Sequence, residues 1–364
     1  MNKRILFVGQ NITYDGYSKM FNWTVNSLSE YAENNVYLYT FYYSDTCYDF
    51  SEKVKWEEVI REKSERWKII FDLRRKIKKI CPDIIVAFLY DAGLYSIFAS
   101  VNTKTPVIVC ERSDPYANLP LNAKVSQFFY RWADGAVFQL PEAREYFKNI
   151  IKRQTAIIPN PIFDTGYMVT LPFSQRKNEI SYVGRINNKQ KRIDILLMAF
   201  AVFHKKHQEI CLSLYGDGKD MEASKQLVQS LGISDKVVFK GKVDKPAQYI
   251  ASSKCFVMSS DYEGLSNALL EAMSLGLPVV TTDTSPGGAR FLIEDGKNGL
   301  ISDRGNVVML AEKLMFLFDN PQIADNMGRE ARKVLDRFKP TNIKEMWNDY
   351  LNFVCMTFKQ KTHK

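Results

Sequence analysis

The chain has 364 residues, 46% hydrophobic and 25% charged, with a formal net charge of +9. That length suits two domains of ordinary size, and the composition excludes disordered and fibrous classes. No run of 18 or more apolar residues occurs, which removes a membrane-spanning helix from the reading. The first apolar run, Ile5-Leu6-Phe7-Val8, lacks a small-residue cleavage site after it, so it reads as a first strand and not as a secretory leader. Further short apolar runs follow at 36–39, 84–87, 107–110 and 135–138, each a crossover-helix length from the next. Continuous apolar strands are what a parallel sheet covered on both faces requires.

Between the second and third runs, residues 61–79 hold nine Lys or Arg against three acids. Ile70, Leu73, Ile77 and Ile80 recur there at helical spacing, which predicts an amphipathic helix over 61–80 with a basic outer face. Such a face is either a solvated surface or a contact for an anionic membrane or a pyrophosphate-bearing acceptor. Six cysteines (Cys47, Cys81, Cys110, Cys211, Cys255 and Cys355) form no metal-ligand spacing. They argue for a reducing compartment, with cytosol as the default.

The double-proline stretch Ile157-Ile158-Pro159-Asn160-Pro161 breaks the first alternation, and a second begins with runs at 180–183, 211–214, 237–239, 255–258 and 278–281. Helices are expected over 194–204 and 263–274. A last one over 341–358 carries Ile343, Trp347, Tyr350, Leu351 and Val354 on one side. The reading is two doubly wound α/β domains, 1–160 and 174–338, with a hinge near 160–173. In such sheets ligands bind beyond the carboxyl ends of the strands, so the loops there are where chemistry belongs.

Two loops stand out. In Glu263-Gly264-Leu265-Ser266-Asn267-Ala268-Leu269-Leu270-Glu271, a strand end runs into a helix whose first amides can face an anion. The two carboxylates can serve a sugar and a ribose diol. On these residues alone, a helix-dipole acid plus a solvated Glu explains the pattern equally well. In the second loop Gly184 ends a strand and is followed by Arg185 and Lys191, two cations suited to a leaving diphosphate or to surface salt bridges. Gly216-Asp217-Gly218 lacks the third glycine of a dinucleotide fingerprint, no GxxxxGK[ST] occurs, and His204, His207 and His363 lie on a helix or in the tail.

These residues resemble glycosyltransferase family 4, the retaining enzymes of the GT-B fold, in which two Rossmann-like domains face each other across a cleft. Glu263 to Glu271 matches that family's E-x7-E pattern, and Arg185 and Lys191 match its paired basic residues. The segments 285–290 and 295–300 resemble its closing stretch.

The resemblance implies that Arg185 and Lys191 hold the donor diphosphate and that Glu271 binds the ribose. Glu263, with Gly264 and the amides of Leu265, Ser266 and Asn267, would hold the donor sugar, and Gly184 would shape the loop. Gly16 would approach the phosphate or acceptor, although Asp15-Gly16-Tyr17 stands where the family often has Gly-Gly. After the fourth strand, where many members have histidine, this chain has Glu111-Arg112. That variant resembles the subgroup building lipid-linked oligosaccharides and surface polysaccharides such as capsule and lipopolysaccharide, and it puts Glu111 and Arg112 on the acceptor side.

The implied activity is metal-independent, retaining transfer of a hexose or N-acetylhexosamine from a nucleotide-sugar, UDP-linked by expectation. The enzyme would be cytoplasmic or peripheral on the inner face of the membrane, with the C-terminal helix completing the N-terminal domain. No cofactor, no metal and no nucleic acid is expected. The alternatives are a non-catalytic sugar-nucleotide or polysaccharide-binding subunit and a nucleotide-sugar epimerase of the same fold.

Overall fold

The computed structural model describes residues 3–13, 16–44, 48–169 and 171–362. Asp15, Cys47 and His363, which figure in the sequence reading, lie outside the described residues. Two compact units emerge, one comprising Met1–Asn160 with Pro340–Lys364 and the other Pro161–Lys339.

The first unit holds a parallel sheet of β1 (Lys3–Gly9), β2 (Asn34–Thr40), β3 (Lys55–Glu58), β4 (Ile84–Phe88), β5 (Val107–Glu111), β6 (Gly135–Phe138) and β7 (Gln154–Ile157). Their order is β3-β2-β1-β4-β5-β6-β7. β4, β5 and β6 are buried along their whole length, as strands covered on both faces must be. The edge strands β3 (KWEE) and β7 (QTAI) are short and polar, so no apolar run announced them.

Right-handed crossovers decide where the helices go. The chain steps from β1 to β2 in one direction, and from β3 to β4, β5 and β6 in the other. Helix Gly16–Ser29 therefore lies on one face of the sheet, and helices Arg66–Ile80, Tyr90–Ala99 and Leu121–Phe129 lie together on the other. The basic segment is a helix only from Arg66, because residues 63–65 form a 3-10 turn. Ile69, not Ile70, joins Leu73, Ile77 and Ile80 in the core.

The last helix, Pro340–Thr362, packs beside Gly16–Ser29. Its stripe Ile343, Trp347, Tyr350, Leu351 and Val354 enters the first core. Trp347 stacks on Phe88 with ring centres 5.8 Å apart. The Tyr350 hydroxyl lies 3.1 Å from the Ala136 carbonyl oxygen and 2.8 Å from that of Gln154 and shares its proton between them, fixing the helix to β6 and β7.

The second unit holds a parallel sheet of β8 (Lys177–Val183), β9 (Cys211–Tyr215), β10 (Val237–Gly241), β11 (Ser253–Met258), β12 (Val279–Thr282) and β13 (Leu300–Ser302), in the order β10-β9-β8-β11-β12-β13. The direction of travel reverses between β8 and β11, so the helices that follow those two neighbours leave on opposite faces of the sheet. A crevice at such a reversal is where open α/β sheets take their ligands.

Trp347→Ala removes a fully buried indole from between the last helix and β4, a change that typically costs about 3–5 kcal/mol. Urea unfolding is expected to show a loss of that size. A loss under about 1 kcal/mol would mean that the C-terminal helix contributes little to the first core.

Candidate active site

Both sequence motifs fall at the reversal between β8 and β11. The loop after β8 runs from Gly184 to Arg192 and enters helix Ile193–His204. The loop after β11 runs from Ser259 to Ser266 and enters helix Asn267–Ser274. That helix starts four residues later than the sequence suggested, because the Ser266 hydroxyl caps it by accepting from the Leu269 amide (3.4 Å). Glu263 consequently lies in the loop, Asn267 is the first helical residue, and half-buried Glu271 sits just past the first turn.

Backbone contacts lock the two loops together. The Asp261 amide donates to the Gln190 carbonyl (2.9 Å), and Gln190 Nε2 donates to the Tyr262 carbonyl (3.2 Å). The Ser259 hydroxyl lies 2.8 and 2.9 Å from the carbonyls of Lys191 and Arg192 and shares its proton between them. On the other side Glu263 donates its amide to Ser285 O (2.8 Å), and Ser285 donates to Asp261 O (3.0 Å). This ties in the Ser285-Pro286-Gly287-Gly288 turn. A side chain at Gly288 would place its Cβ 2.6 Å from the Gly264 carbonyl, and one at Gly216 would meet the Gly184 carbonyl at 1.8 Å. Only glycine permits both approaches.

Within this frame Lys191 and Glu263 form an ion pair, their side chains only 13% and 10% exposed. Desolvating two charges largely offsets their attraction, so such a pair adds little stability. Removing one partner is costly, about 3–5 kcal/mol, because a buried charge is left alone. Lys191 can exchange Glu263 only for another anion, and a diphosphate is one. Arg185 stands exposed and donates to Gln190 Oε1 at 3.2 Å. The structure thus joins Lys191 to Glu263 directly and Arg185 to them through Gln190. Buried Tyr182 underlies the group, donating to the Arg185 carbonyl at 3.1 Å, and burial first and Glu263 second push its phenol well above the ordinary value.

Sequence reasoning missed Arg192. Its backbone is left-handed (φ 49°, ψ 51°), a conformation that costs a non-glycine residue about 1–2 kcal/mol. The guanidinium is held by Asp194 (3.0 Å) and by Asp261 (3.1 Å), and these hydrogen bonds raise its pKa further. The adjoining Lys191 is thereby aimed at Glu263. The signal in the sequence was the pair of acids, Asp194 and Asp261, flanking the two motifs.

In the first unit Gly16 opens helix Gly16–Ser29 and is exposed. Glu111 ends β5 buried, with its carboxylate already occupied. One oxygen accepts from the amides of Arg112 and Ser113 (both 3.1 Å), the other from Gln127 (3.3 Å) and Tyr130 (3.4 Å). It positions the turn that carries Arg112. The Arg112 guanidinium lies over Phe88 (5.0 Å) and Trp347 (5.8 Å) and donates to Asn160 Oδ1 (2.9 Å), while its shielded Nε has no hydrogen-bond partner. Burial holds its pKa below the usual guanidinium value. Of the two, Arg112 is the group with capacity left for a ligand.

The left-handed residue gives a discriminating pair of variants. Arg192→Ala keeps the backbone penalty and loses both ion pairs, whereas Arg192→Gly loses the ion pairs but relieves the backbone. Urea midpoints and nucleotide affinity are expected to fall more for Arg192→Ala than for Arg192→Gly. Equal losses would show that the backbone conformation is not what holds Lys191.

Residues 167–334, within the second unit, match the family model described as Glycosyl transferases group 1. A curated relative from Campylobacter jejuni subsp. jejuni is 24% identical over 357 residues, covering 94% of this chain and 97% of its own. It is a GalNAc-α-(1→4)-GalNAc-α-(1→3)-diNAcBac-PP-undecaprenol α-1,4-N-acetyl-D-galactosaminyltransferase. Among solved structures, the lipopolysaccharide outer core galactosyltransferase WaaB superposes with a TM-score of 0.76 at 19% identity, covering 96% of this chain and 99% of that one. HepE of Anabaena, solved with UDP, superposes at 0.79 and 19% identity, with the same coverage of 96% and 99%. With its two Rossmann-like parallel sheets the chain has the GT-B fold, and its second unit resembles the group 1 glycosyltransferases in sequence.

Proposed function

We propose that this glycosyltransferase is a retaining enzyme that moves a hexose or N-acetylhexosamine from a UDP-sugar to a lipid-linked or polysaccharide acceptor in surface glycan synthesis. The observation that carries the donor half is the Lys191–Glu263 pair with Arg185 and Glu271, set on the two joined loops that leave neighbouring strands and on the helix after the second. Lys191 and Arg185 take the diphosphate, and Glu271 accepts from the ribose hydroxyls. Glu263, with the Leu265–Asn267 backbone, holds the sugar. The choice of UDP draws on HepE, solved with that nucleotide. The choice of acceptor class draws on the Campylobacter relative, whose name specifies an undecaprenol-linked glycan, and on WaaB, named for the lipopolysaccharide core.

In the proposed reaction the bond from the anomeric carbon to the UDP oxygen breaks first, and the sugar gains oxocarbenium character. The growing negative charge falls on the diphosphate beside Lys191 and Arg185. The acceptor hydroxyl attacks from the face the UDP leaves, and its proton passes to a departing phosphate oxygen. A new glycosidic bond and UDP are the products. Two fixed cations can neutralise the leaving group, so metal-independent activity is part of the proposal. In the first unit, Glu111 positions Arg112 and Arg112 meets an anionic part of the acceptor, while Gly16 lets the chain approach a phosphate. The basic helix ending at Ile80 provides an electrostatic contact with an anionic membrane, and a location on its cytoplasmic face is part of the proposal.

The test is turnover and binding of UDP-, GDP- and ADP-sugars by the wild type beside Glu271→Ala. One UDP-sugar is expected to bind and slowly release its nucleotide. Loss of a charged hydrogen bond, worth about 1.5–3 kcal/mol, is expected to weaken binding roughly 10- to 150-fold in the variant. Binding without any turnover would favour a non-catalytic binding subunit, and release of an epimerised sugar nucleotide would favour an epimerase. Activity is expected to survive EDTA; loss restored by Mg²⁺ or Mn²⁺ would refute metal independence.

A further inference from the structure

The helix layer formed by Arg66–Ile80, Tyr90–Ala99 and Leu121–Phe129 leaves large apolar side chains in solvent. Along helix Leu121–Phe129 and the 3-10 turn Tyr130–Trp132, Leu121 is 77% exposed, Val125 43%, Phe128 49% and Trp132 56%. Their spacing of four, three and four residues puts them on one stripe of the helix. The opposite stripe, with Ala123, Ser126, Gln127 and Tyr130, is buried. The ring of Phe129 joins Phe98 of the neighbouring helix (4.9 Å) to Trp132 (5.1 Å), extending the patch across the layer.

The charges on the segments that carry this patch have one sign. From Pro115 to Trp132 the sequence has no Asp or Glu, and none occurs from Ala92 to Cys110. Lys104, Lys124 and Arg131 are exposed there, and the Arg131 guanidinium covers the Phe128 ring at 3.8 Å. The basic helix Arg66–Ile80 lies in the same layer and is tied to it by Arg74, which donates to the carbonyls of Ala99 (3.1 Å) and Val101 (2.6 Å). The single acid of that helix, Asp72, is engaged by Arg61 and Arg75. An apolar, aromatic stripe whose own helices carry cations and few acids complements a bilayer with anionic headgroups. A second copy bringing the same face would oppose cation to cation.

We propose that this stripe, centred on Leu121, Phe128 and Trp132, inserts into the interfacial zone of an anionic bilayer, with Lys124, Arg131 and the basic helix held at headgroup level. The inference deepens the membrane-linked reading of the acceptor and adds apolar insertion to an attraction that would otherwise be electrostatic. Insertion also predicts weak salt dependence, since burial of apolar surface is not screened.

The experiment is flotation of the full chain with vesicles of phosphatidylcholine alone or with 30% phosphatidylglycerol (about a third anionic lipid), at low and high salt. Variants Phe128→Glu/Trp132→Glu and Lys78→Glu/Lys79→Glu are compared, with circular dichroism to confirm folding. Wild type is expected to float with anionic vesicles and to stay partly bound at high salt. The Phe128→Glu/Trp132→Glu variant is expected to lose at least about tenfold in binding while turnover of a soluble sugar nucleotide is kept. The lysine variant is expected to keep its salt-resistant fraction. Three results would overturn the proposal: no flotation of wild type, wild-type flotation of the Glu variant, or a dimer of the wild type that Trp132→Glu dissolves. Sugar-nucleotide turnover is read separately, so failure of the transferase reading is distinguishable from failure of this surface.

Discussion

The reversal of strand order between β8 and β11 is the constraint on which the site depends. Neighbouring parallel strands bring two loops to the same edge of the sheet, and their helices must then leave on opposite faces. Hydrogen bonds between the two loops then hold them together at that edge. Gly216 and Gly288 are required because other backbone passes within bonding range of where a Cβ would stand. Into this frame the chain sets a shielded lysine and a shielded glutamate as partners. The arrangement spends stability to hold charge in place, which is the signature of a binding site more than of a structural brace.

Around that pair, support comes from residues that do not face a ligand themselves. Arg192 holds a left-handed backbone by two carboxylates, Ser259 bonds the carbonyls on either side of it, and Tyr182 fills the space beneath. In the first unit the same economy appears at β5. Glu111 is consumed in shaping a turn, and Arg112 is presented on the rings of Phe88 and Trp347. A sequence motif of acid and base therefore resolves into one positioning residue and one residue with bonding capacity to spare.

Much of this was legible before the structure. Runs such as Ile84-Ile85-Val86-Ala87 and Cys255-Phe256-Val257-Met258 are buried on both faces, as central parallel strands are. The stripe from Ile343 to Val354 was equally plain, because helical spacing and burial coincide there. Edge strands were not legible: Lys55–Glu58 alternates half-buried with exposed polar residues and owes its conformation to pairing with β2. Nor was the start of helix Asn267–Ser274, which a single serine hydroxyl decides. The pairing of Lys191 with Glu263 spans 72 positions and arises only from sheet order. The exposed stripe of Leu121 to Trp132 was not legible either, since apolar residues at helical spacing say which stripe is apolar but not whether a neighbour covers it.

The most direct measurement of the central claim is a crystal structure of the chain with UDP bound. The expected result is the diphosphate against Lys191 and Arg185, the ribose hydroxyls on Glu271, and Lys191 drawn from Glu263 toward phosphate. A nucleotide bound elsewhere, with the Lys191–Glu263 pair intact and Glu271 facing solvent, would contradict the account.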